Sequence, residues 1–561
     1  MMIILGNPPY SGESHNNNDW IKGLMNDYKK EPETNAPLNE RNPKWINDDY
    51  CKFIRLGQEL VKKNDNGILA YINNHSFLDN PTFRGMRWNL LKSFDKIYIL
   101  DLHGNSKKKE TCSDGSKDEN VFDIQQGVSI NIFIKTGKKG KNELAKVFHH
   151  HIWGKRQFKY DFLQDNDLKS IAFKELTPTA PFYFFVPKNE TGRNEYESGF
   201  CLNELMPINS TGIVTARDSL VVDKNKDVLL QRITEFADAT KTDEEIRQKF
   251  FSNKKNGKYL AGDTDSWSLS EARHTIKDFD HESKILKISY RPFDENYIYY
   301  SPAVIDRGRE KVMQHFIIGD NIGLLTCRQS AISSWEHVGI TKYIVDDCRV
   351  SNRTKERGYV FPLYIYETAS TRLPNLKMDI VDKISQSIGL EYETERSGNT
   401  DKFAPIDLFD YIYAVLHSPI YREKYKEFLK TDFPRIPYPS SADEFRRLSE
   451  IGCELRQIHL MEHSELNILI TQYPIDGSNF VEKVRLETLS DTVGRVWIND
   501  KQYFDSVPLK VWEFYIGGYQ PAQKWLKDRQ GSVLSYEDLV HYQRIVKALA
   551  MTDEIMGEID T

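Results

Sequence analysis

The chain has 561 residues, which predicts about three domains, and its 39% hydrophobic and 28% charged residues are typical of a soluble globular protein. Its net charge of -6 argues against indiscriminate nucleic-acid binding but leaves local basic faces open. No apolar run reaches the roughly 18 residues of a membrane span, and the apolar start lacks the basic residues of a signal peptide. A cytoplasmic chain without a membrane partner is therefore expected, in keeping with six scattered cysteines and no CxxC pair.

Residues 1–160 alternate between predicted strands and helices, a pattern that indicates a largely parallel α/β sheet. A polar loop over 104–120 holds Lys107 and Lys108, which we interpret either as phosphate contacts or as part of a solvated surface. Strands are predicted at 2–5, 67–72, 96–102 and 128–134, and helices at 49–62 and 86–94.

The remaining residues have a different character. Residues 161–380 are predicted to form a β-rich region, in which short strands recur, for example at 297–300 and 359–364. A helical stretch is expected at 227–251. Residues 381–561 are predicted to be helical and mixed, with a mainly helical part at 405–465 whose aromatic residues pack a core.

The string Asn7-Pro8-Pro9-Tyr10 directly follows the first buried strand and is the most informative motif. Prolines fix φ and donate no backbone hydrogen bond, so two in a row make a rigid turn with free carbonyls. An Asn-Pro string is also common in ordinary turns. Placed after a strand of an α/β sheet, however, this one looks like the catalytic motif of amino-methyltransferases that use S-adenosylmethionine.

The residue types of this motif suit methyl transfer to an exocyclic amine, whose lone pair is delocalised into the ring. An acceptor from the Asn7 side chain and another from the Pro8 carbonyl hold the two N–H groups and aim the lone pair at the methyl donor. Pro9 keeps the turn rigid, and Tyr10 stacks on a flipped adenine. Such stacking contributes about 1 to 3 kcal/mol and offsets part of the few kcal/mol that base flipping costs.

Further strings extend over almost the whole chain and resemble the carboxy-terminal part of type ISP restriction-modification enzymes. The resemblance implies a partial Rossmann-like methyltransferase sheet at 1–160, followed by a mixed α+β target-recognition domain at 161–380 and 381–561. It also implies adenine-N6 methylation of double-stranded DNA in a restriction-modification or phage-defence system. The strings are 67–79, 97–105, 121–135, 290–294, 361–364, 409–422, 433–437 and 515–529.

Four arginines of the recognition region are candidates for DNA contact, together with Lys107 and Lys108. Arginine is the usual reader of guanine, but each of these residues also has an ordinary explanation in an ion pair or a solvated face. Arg291 in particular is placed to pair with Asp294 within one turn. The candidates are Arg291, Arg307, Arg309 and Arg328.

No metal site is expected from the run His149-His150-His151. Neighbouring residues of a strand face opposite sides of the sheet, so three consecutive histidines do not converge on one ion. We therefore expect a structural role for them.

The chain departs from the family in one respect, because the Gly-rich cofactor loop and the acidic ribose contact are not found in it. No GxxxxGK[ST] string occurs either, so no ATPase activity is expected. The strand at 2–5 would then have an unpaired apolar edge. An upstream polypeptide that supplies the S-adenosylmethionine-binding motifs is the expected partner, and it is also a candidate carrier of nuclease and ATPase parts. The explanations left open are a split enzyme, a gene fragment and a DNA-binding specificity subunit.

Two other functions remain open at this point. The first is a non-catalytic DNA-recognition module, for which Asn7 and Tyr10 would be dispensable. The second is methylation of protein glutamine, whose planar amide suits the same motif. The long recognition region disfavours the glutamine alternative.

Overall fold

The structure is a computed structural model that describes residues 1–10, 14–40, 43–106, 110, 112, 114–140, 142–252, 258–330, 334–353 and 356–561. The chain divides into two compact units, Met1–Glu190 and Thr191–Thr561, called unit 1 and unit 2 below. Lys107 and Lys108 lie outside the described residues. A further boundary near residue 380 stays a prediction. None of the described helices combines the length and apolarity that a membrane crossing needs.

Unit 1 is built around a sheet with the strand order β1-β2-β4-β3-β5-β6. β1, β2, β3 and β5 are mutually parallel, whereas β4 runs antiparallel between β2 and β3, and β6 antiparallel to β5. The predicted largely parallel α/β sheet is therefore confirmed. Its elements are β1 (Met2–Gly6), α1 (Asp19–Met25), α2 (Asp49–Lys62), β2 (Gly67–Asn74), α3 (Arg84–Ser93), β3 (Lys96–His103), β4 (Val128–Lys135), β5 (Lys146–His151), α4 (Arg156–Asp165) and β6 (Lys174–Leu176).

The helix α2 packs on the sheet through residues spaced three or four apart. Ile54 and Val61 are buried on that face, and an acidic residue in its first turn and Lys62 in its last turn suit the helix dipole. Gly57 allows α2 to lie close to β2, because a Cβ at this position would lie 2.5 Å from the Leu69 side chain of β2. The predicted bounds of this helix are confirmed.

The strand β1 forms one edge of the sheet and exposes apolar side chains. Ile3 is 52% exposed and Leu5 is 72% exposed, while Met2 and Ile4 pack against the core on the other face. Within the described residues, only β2 pairs with β1. The expected unpaired apolar edge is thus present.

Unit 2 contains short strands and longer helices. The helices are α5 (Arg193–Ser198), α6 (Leu202–Leu205), α7 (Asp218–Val221), α8 (Lys226–Ala237), α9 (Asp243–Phe251), α10 (Leu269–Ile276), α11 (Glu310–Met313), α12 (Met378–Ile388), α13 (Pro405–His417), α14 (Pro419–Leu429), α15 (Ala442–His459), α16 (Leu509–Glu513), α17 (Pro521–Lys527) and α18 (Tyr536–Glu558). The strands are β7 (Phe200–Cys201), β8 (Ser210–Thr211), β9 (Val222–Asp223), β10 (Ile285–Arg291), β11 (Asp294–Tyr299), β12 (Gly323–Cys327), β13 (Val338–Thr341), β14 (Ile344–Val345), β15 (Gly358–Pro362), β16 (Tyr364–Thr368), β17 (Thr371–Pro374), β18 (Glu391–Tyr392), β19 (Lys402–Phe403), β20 (Arg435–Ile436), β21 (Arg485–Thr488), β22 (Val493–Trp497) and β23 (Tyr503–Pro508).

Three groups of strands carry the β-rich character of unit 2. The order is β14-β10-β11-β9 in one sheet, β13-β12-β15-β8 in a second and β21-β22-β23 in a third. The helical stretch predicted at 227–251 consists of two helices, α8 and α9. The break between them is explained by Thr242, which caps α9 in a capping box with Glu245.

The predicted helical part at 405–465 is confirmed as α13, α14 and α15. The tyrosines of α13 are buried, so the expectation that they pack a core is confirmed for Tyr411 and Tyr413. α13 and α15 cross closely because Gly452 of α15 carries no side chain: a Cβ there would lie 1.8 Å from the Asp410 carbonyl oxygen. Arg456 donates two hydrogen bonds to the Asp410 carboxylate, at 2.7 and 3.0 Å.

Candidate functional site

The Asn7-Pro8-Pro9-Tyr10 turn leaves the carboxyl end of β1, the position where ligands bind in open parallel sheets. The strand ends at Gly6, where a Cβ would lie 2.9 Å from the Tyr71 ring of β2. The Asn7 side chain is exposed, whereas Pro8 is buried. Among the described residues, none forms a hydrogen bond with the Asn7 amide, so the amide is available to a ligand.

Tyr10 is held on two sides by unit 1. Its hydroxyl donates a hydrogen bond to the Ile72 carbonyl of β2 at 3.3 Å, and its ring centroid lies 6.2 Å from that of Phe122. Burial raises the pKa of Tyr10 to about 12, so the hydroxyl stays a donor at neutral pH. Phe122 was not identified from the sequence, because only the tertiary fold brings it to Tyr10.

The segment that carries Phe122 is fixed by a buried ion pair. Lys159 Nζ lies 2.8 Å from the Asp118 carboxylate, and both side chains are fully buried. The same carboxylate accepts hydrogen bonds from the backbone N–H groups of Gly104 and Gly154, at 2.6 and 2.7 Å. A buried charge with several hydrogen bonds holds this segment at a defined place beside β3.

The Arg291 guanidinium is held in place by an ion pair and by an aromatic ring. It donates to the Asp346 carboxylate at 2.6 Å and lies 3.9 Å from the centroid of the Tyr290 ring. The interpretation that it pairs with Asp294 is wrong, because Asp294 instead accepts from Arg529 at 2.9 Å. Burial by itself would lower the pKa of Arg291, but the Asp346 charge raises it above its usual range.

The other three predicted arginines lie elsewhere in unit 2. Arg307 is exposed, with its Nε 3.2 Å from Asp306. Arg309 precedes α11 at a φ of 60°, and its Nε is buried without a hydrogen-bond partner among the described residues. Arg328 Nε donates to Asp432 at 2.8 Å. Their role in DNA contact stays a prediction.

A cavity of about 1120 Å³ in unit 2 includes Arg291 but none of those three. It lies where two of the quoted strings meet, since the Asp294–Arg529 pair joins 290–294 to 515–529. Two further arginines line this cavity. Neither has a carboxylate within ion-pair distance in the described part of unit 2. These are Arg349 and Arg544.

Each of these two guanidiniums has a neutral partner only. Arg349 Nε donates to Ser289 Oγ at 3.0 Å, and burial lowers its pKa to about 10. Arg544 donates to the Met461 carbonyl at 2.7 Å, while its Nε is buried and unbonded among the described residues. Cations without a carboxylate partner suit an anionic or carbonyl-rich ligand. Neither residue belongs to a recognisable motif, so no signal in the sequence points to them.

Residues 204–558, more than half of the chain, match the family described as "Type ISP C-terminal specificity domain". The chain belongs to the Type ISP C-terminal specificity domain family. Outside that range, residues 2–107 match a second family, "Eco57I restriction-modification methylase", which covers β1 and the Asn7–Tyr10 turn. No curated protein sequence matches this family member.

Three solved structures have the fold of this Type ISP specificity-domain protein. LlaBIII, an ATP-dependent Type ISP restriction-modification enzyme bound to DNA, is 19% identical over 100% of the chain with a TM-score of 0.75. The DrdV–DNA complex is 22% identical over 99% with a TM-score of 0.74. A nuclease-deletion mutant of the Type ISP enzyme LlaGI with a DNA substrate mimic is 21% identical over 100% with a TM-score of 0.72. The chain spans only 38%, 57% and 44% of those proteins, respectively.

S-adenosylmethionine is the methyl donor that the match of residues 2–107 to a methylase family implies, and unit 1 offers only part of a site for it. Asn7, Pro8 and Tyr10, the residues predicted to contact the methyl acceptor, follow β1 at its carboxyl end. Among the described residues, none corresponds to the Gly-rich loop or the ribose carboxylate, and the β1 edge next to Asn7 is uncovered. The described residues therefore do not by themselves fit the donor.

Proposed function

We propose that this chain methylates adenine N6 in double-stranded DNA as part of a restriction-modification or phage-defence system. The supporting observation is the exposed Asn7 amide at the carboxyl end of β1, followed by the buried Pro8 and by Tyr10. Asn7 Oδ1 and the Pro8 carbonyl accept the two amine hydrogens, and water takes the proton released after transfer. Tyr10 stacks on the adenine that has left the duplex.

The test of this chemistry is the identity of the methylated product. Duplex DNA and a glutamine-containing peptide are offered together to the chain and its donor-binding partner, with S-adenosylmethionine labelled in the methyl group. Nucleoside mass spectrometry is expected to find the label in N6-methyladenine. Label in methylglutamine, or in a cytosine, would contradict the proposal. Specific DNA binding without any label would favour the non-catalytic recognition module.

We propose further that unit 2 contacts DNA through the cavity lined by Arg349 and Arg544. The buried Arg349 and the half-buried Arg544 lack described carboxylate partners, and phosphate or base oxygens supply the acceptors that they need. The Arg544→Ala variant is expected to weaken binding of the cognate duplex by about 10-fold or more.

The matched control for Arg544 is Lys547→Ala, on the same helix α18 but outside the cavity lining. Binding is measured by fluorescence anisotropy at fixed salt, since phosphate contacts depend on ionic strength. Equal affinities of the two variants would contradict a DNA contact in this cavity.

We also propose that a second polypeptide covers the edge of β1 and supplies the motifs that bind S-adenosylmethionine; that polypeptide is also the candidate carrier of nuclease or ATPase parts. The exposed Ile3 and Leu5 support this, because an apolar sheet edge otherwise favours aggregation. The Leu5→Lys variant is expected to abolish co-purification with that polypeptide and to keep specific DNA binding. Unchanged co-purification would contradict this interface.

A further inference from the structure

Unit 1 holds a cluster of metal-ligand side chains outside the methyl-transfer motif. Ligand atoms of His75, His103 and Glu110 lie within 4.8 Å of one another. They line a cavity of about 230 Å³ together with His149 and His151. His75 follows β2 and His103 ends β3, so parallel strands bring them to the same edge of the sheet.

Two of the histidine rings that line this cavity, those of His103 and His149, carry buried nitrogens without a hydrogen bond to any described residue. Both His103 nitrogens and His149 Nε2 are inaccessible and have no hydrogen-bond partner among the described residues. Buried polar atoms nearly always have a partner, and each one without it costs about 1 to 3 kcal/mol. Three such atoms, on two rings that line one small cavity, indicate that the cavity binds a ligand to which imidazole nitrogens coordinate.

The backbone of β3 is distorted where it presents one of these rings. His103 has a φ of 51°, in the left-handed region, and a β-bulge lies between Asp101 and His103 in the pairing with β4. Trp153 stacks on the His103 ring with centroids 3.4 Å apart. A bulge and a left-handed residue of this kind re-aim a side chain at functional sites.

A second layer of hydrogen bonds orients the histidine of β2. His75 Nδ1 lies 3.0 Å from Asp101 Oδ1, so Nδ1 carries the proton and Nε2 keeps its lone pair. Metal-binding histidines characteristically donate their other nitrogen to a carboxylate in this way. Asn105 Nδ2 lies 3.4 Å from Nε2, a long contact that a bound ion would replace.

We propose that His75, His103 and Glu110 bind a divalent d-block cation such as Zn²⁺, with one coordination position open to the cavity. Two imidazoles and a carboxylate suit such an ion, and the carboxylates exclude an anion. In a tetrahedral site with bonds of about 2.1 Å, ligand atoms lie about 3.4 Å apart. Binding therefore draws the three side chains together by roughly 1 Å.

The ion would link the end of β2 to the segment that carries Phe122. Asn105 N–H donates to Glu110 Oε2 at 2.8 Å, and Asn120 Nδ2 donates to the Gly104 carbonyl at 3.0 Å. Glu110 is thereby tied to the segment that packs against Tyr10. The site is independent of the methyl-transfer proposal, because it rests on a different set of side chains.

No metal was expected from the run His149-His150-His151, and of these three rings only His149 and His151 line the cavity. His150 faces away from the cavity and stacks on Phe162 at 10° between the ring planes. The proposed ligands come from three separate segments, so their spacing carries no signal in the sequence.

The test is metal binding by the full chain after chelator treatment. Zn²⁺ is titrated in competition with a chromophoric chelator, and Co²⁺ is added as a spectroscopic probe. We expect one ion per chain, a d–d absorption band typical of low coordination number, and a rise of about 5 °C in the melting temperature at a hundredfold excess over Kd. The absence of both the Zn²⁺ competition and the Co²⁺ band would overturn the proposal.

Variants distinguish this site from adventitious binding by surface histidines. His103→Ala and Glu110→Ala are expected to weaken Zn²⁺ binding by about 100-fold, and Asp101→Asn by about 10-fold to 100-fold. The control is His150→Gln, on the same strand as His149 but outside the cavity. Circular dichroism verifies that each variant is folded. Equal Zn²⁺ affinity of the His103→Ala and His150→Gln proteins would overturn the assignment.

Discussion

Tyr10 shows how one residue serves both the fold and the proposed chemistry. Its hydroxyl is bonded to Ile72 of β2 at 3.3 Å, and one side of its ring packs against Phe122. The hydroxyl contact is long and therefore weak. In the proposed function, the ring itself supplies the flat surface on which a flipped base stacks.

Removal of the hydroxyl and removal of the ring are expected to have different effects. Tyr10→Phe costs about 0.5 to 1 kcal/mol of stability and keeps the stacking surface. Tyr10→Ala loses about 1 to 3 kcal/mol of stacking on the flipped base. Fluorescence of 2-aminopurine at the target position measures the flipped population. We expect it to be kept in Tyr10→Phe and lowered about 5-fold to 100-fold in Tyr10→Ala; an equal loss in both variants would contradict the stacking role.

At the residue scale, the sequence predicts best what is contiguous. Asn7 to Tyr10 are neighbours along the chain, so their pattern is readable without a fold. Tertiary structure alone places Phe122 beside Tyr10 and gathers the cluster around His103 in unit 1. In unit 2 it likewise places Arg349 in the lining of the cavity. For Arg291, proximity in the sequence was misleading. Asp294 is three residues away along the chain, but the fold pairs Arg291 with Asp346, which is 55 residues away.

The short distance between α13 and α15 at their crossing depends on a glycine, Gly452. A Cβ at Gly452 would lie 1.8 Å from the Asp410 carbonyl oxygen, and backbone at that distance has to move. The neighbouring Arg456–Asp410 pair, with hydrogen bonds at 2.7 and 3.0 Å, depends on the same spacing. The helix pair is therefore sensitive to a single methyl group.

The Gly452→Ala variant is expected to destabilise unit 2 by about 1 to 3 kcal/mol, because α13 and α15 are pushed apart. The control is Gly557→Ala in α18, where nothing lies within 4 Å of the added Cβ. That variant is expected to be neutral or stabilising by up to about 1 kcal/mol, since alanine favours the helix. Urea unfolding measures both, and a Gly452→Ala protein as stable as the control would contradict the close crossing.

Elements with strong local signals are predicted well from the sequence. The helix at 49–62 is found with the predicted bounds, since its buried residues recur with helical spacing. The antiparallel direction of β4 was not predicted, because an apolar strand carries no local mark of direction. The break between α8 and α9 at 238–242 was not predicted, because the apolar residues on both sides continue the helical pattern and the N-cap at Thr242 was not recognised.

At the scale of the molecule, unit 2 buries histidines that resist protonation. Burial, together with the charges of Arg349 and Arg422, lowers the pKa of His459 to about 3. Burial also lowers the pKa of His417 well below its usual value. The His459 ring bonds Tyr413 and Thr552, at 2.6 and 2.9 Å, which fits a neutral imidazole.

The stability of unit 2 is expected to fall with acidification below about pH 6.5. Unfolded histidines bind a proton near that pH, whereas His459 does so only near pH 3, so the unfolded state binds more protons between the two values. The loss between pH 6.5 and 5 is about 2 kcal/mol per histidine. Urea unfolding at both pH values tests this, with His459→Gln expected to reduce the slope. A free energy of unfolding that does not change with pH would contradict it.

The most direct measurement is methyl transfer from labelled S-adenosylmethionine to duplex DNA by the chain together with its donor-binding partner. Asn7→Ala is expected to lower the rate by about 100-fold or more, because one of the two acceptors that hold the amine is lost. The control is Asn16→Ala, an exposed asparagine outside the motif, which is expected to keep the wild-type rate. An Asn7→Ala protein that transfers methyl groups as fast as the Asn16→Ala protein would contradict the assignment of this turn as the catalytic site.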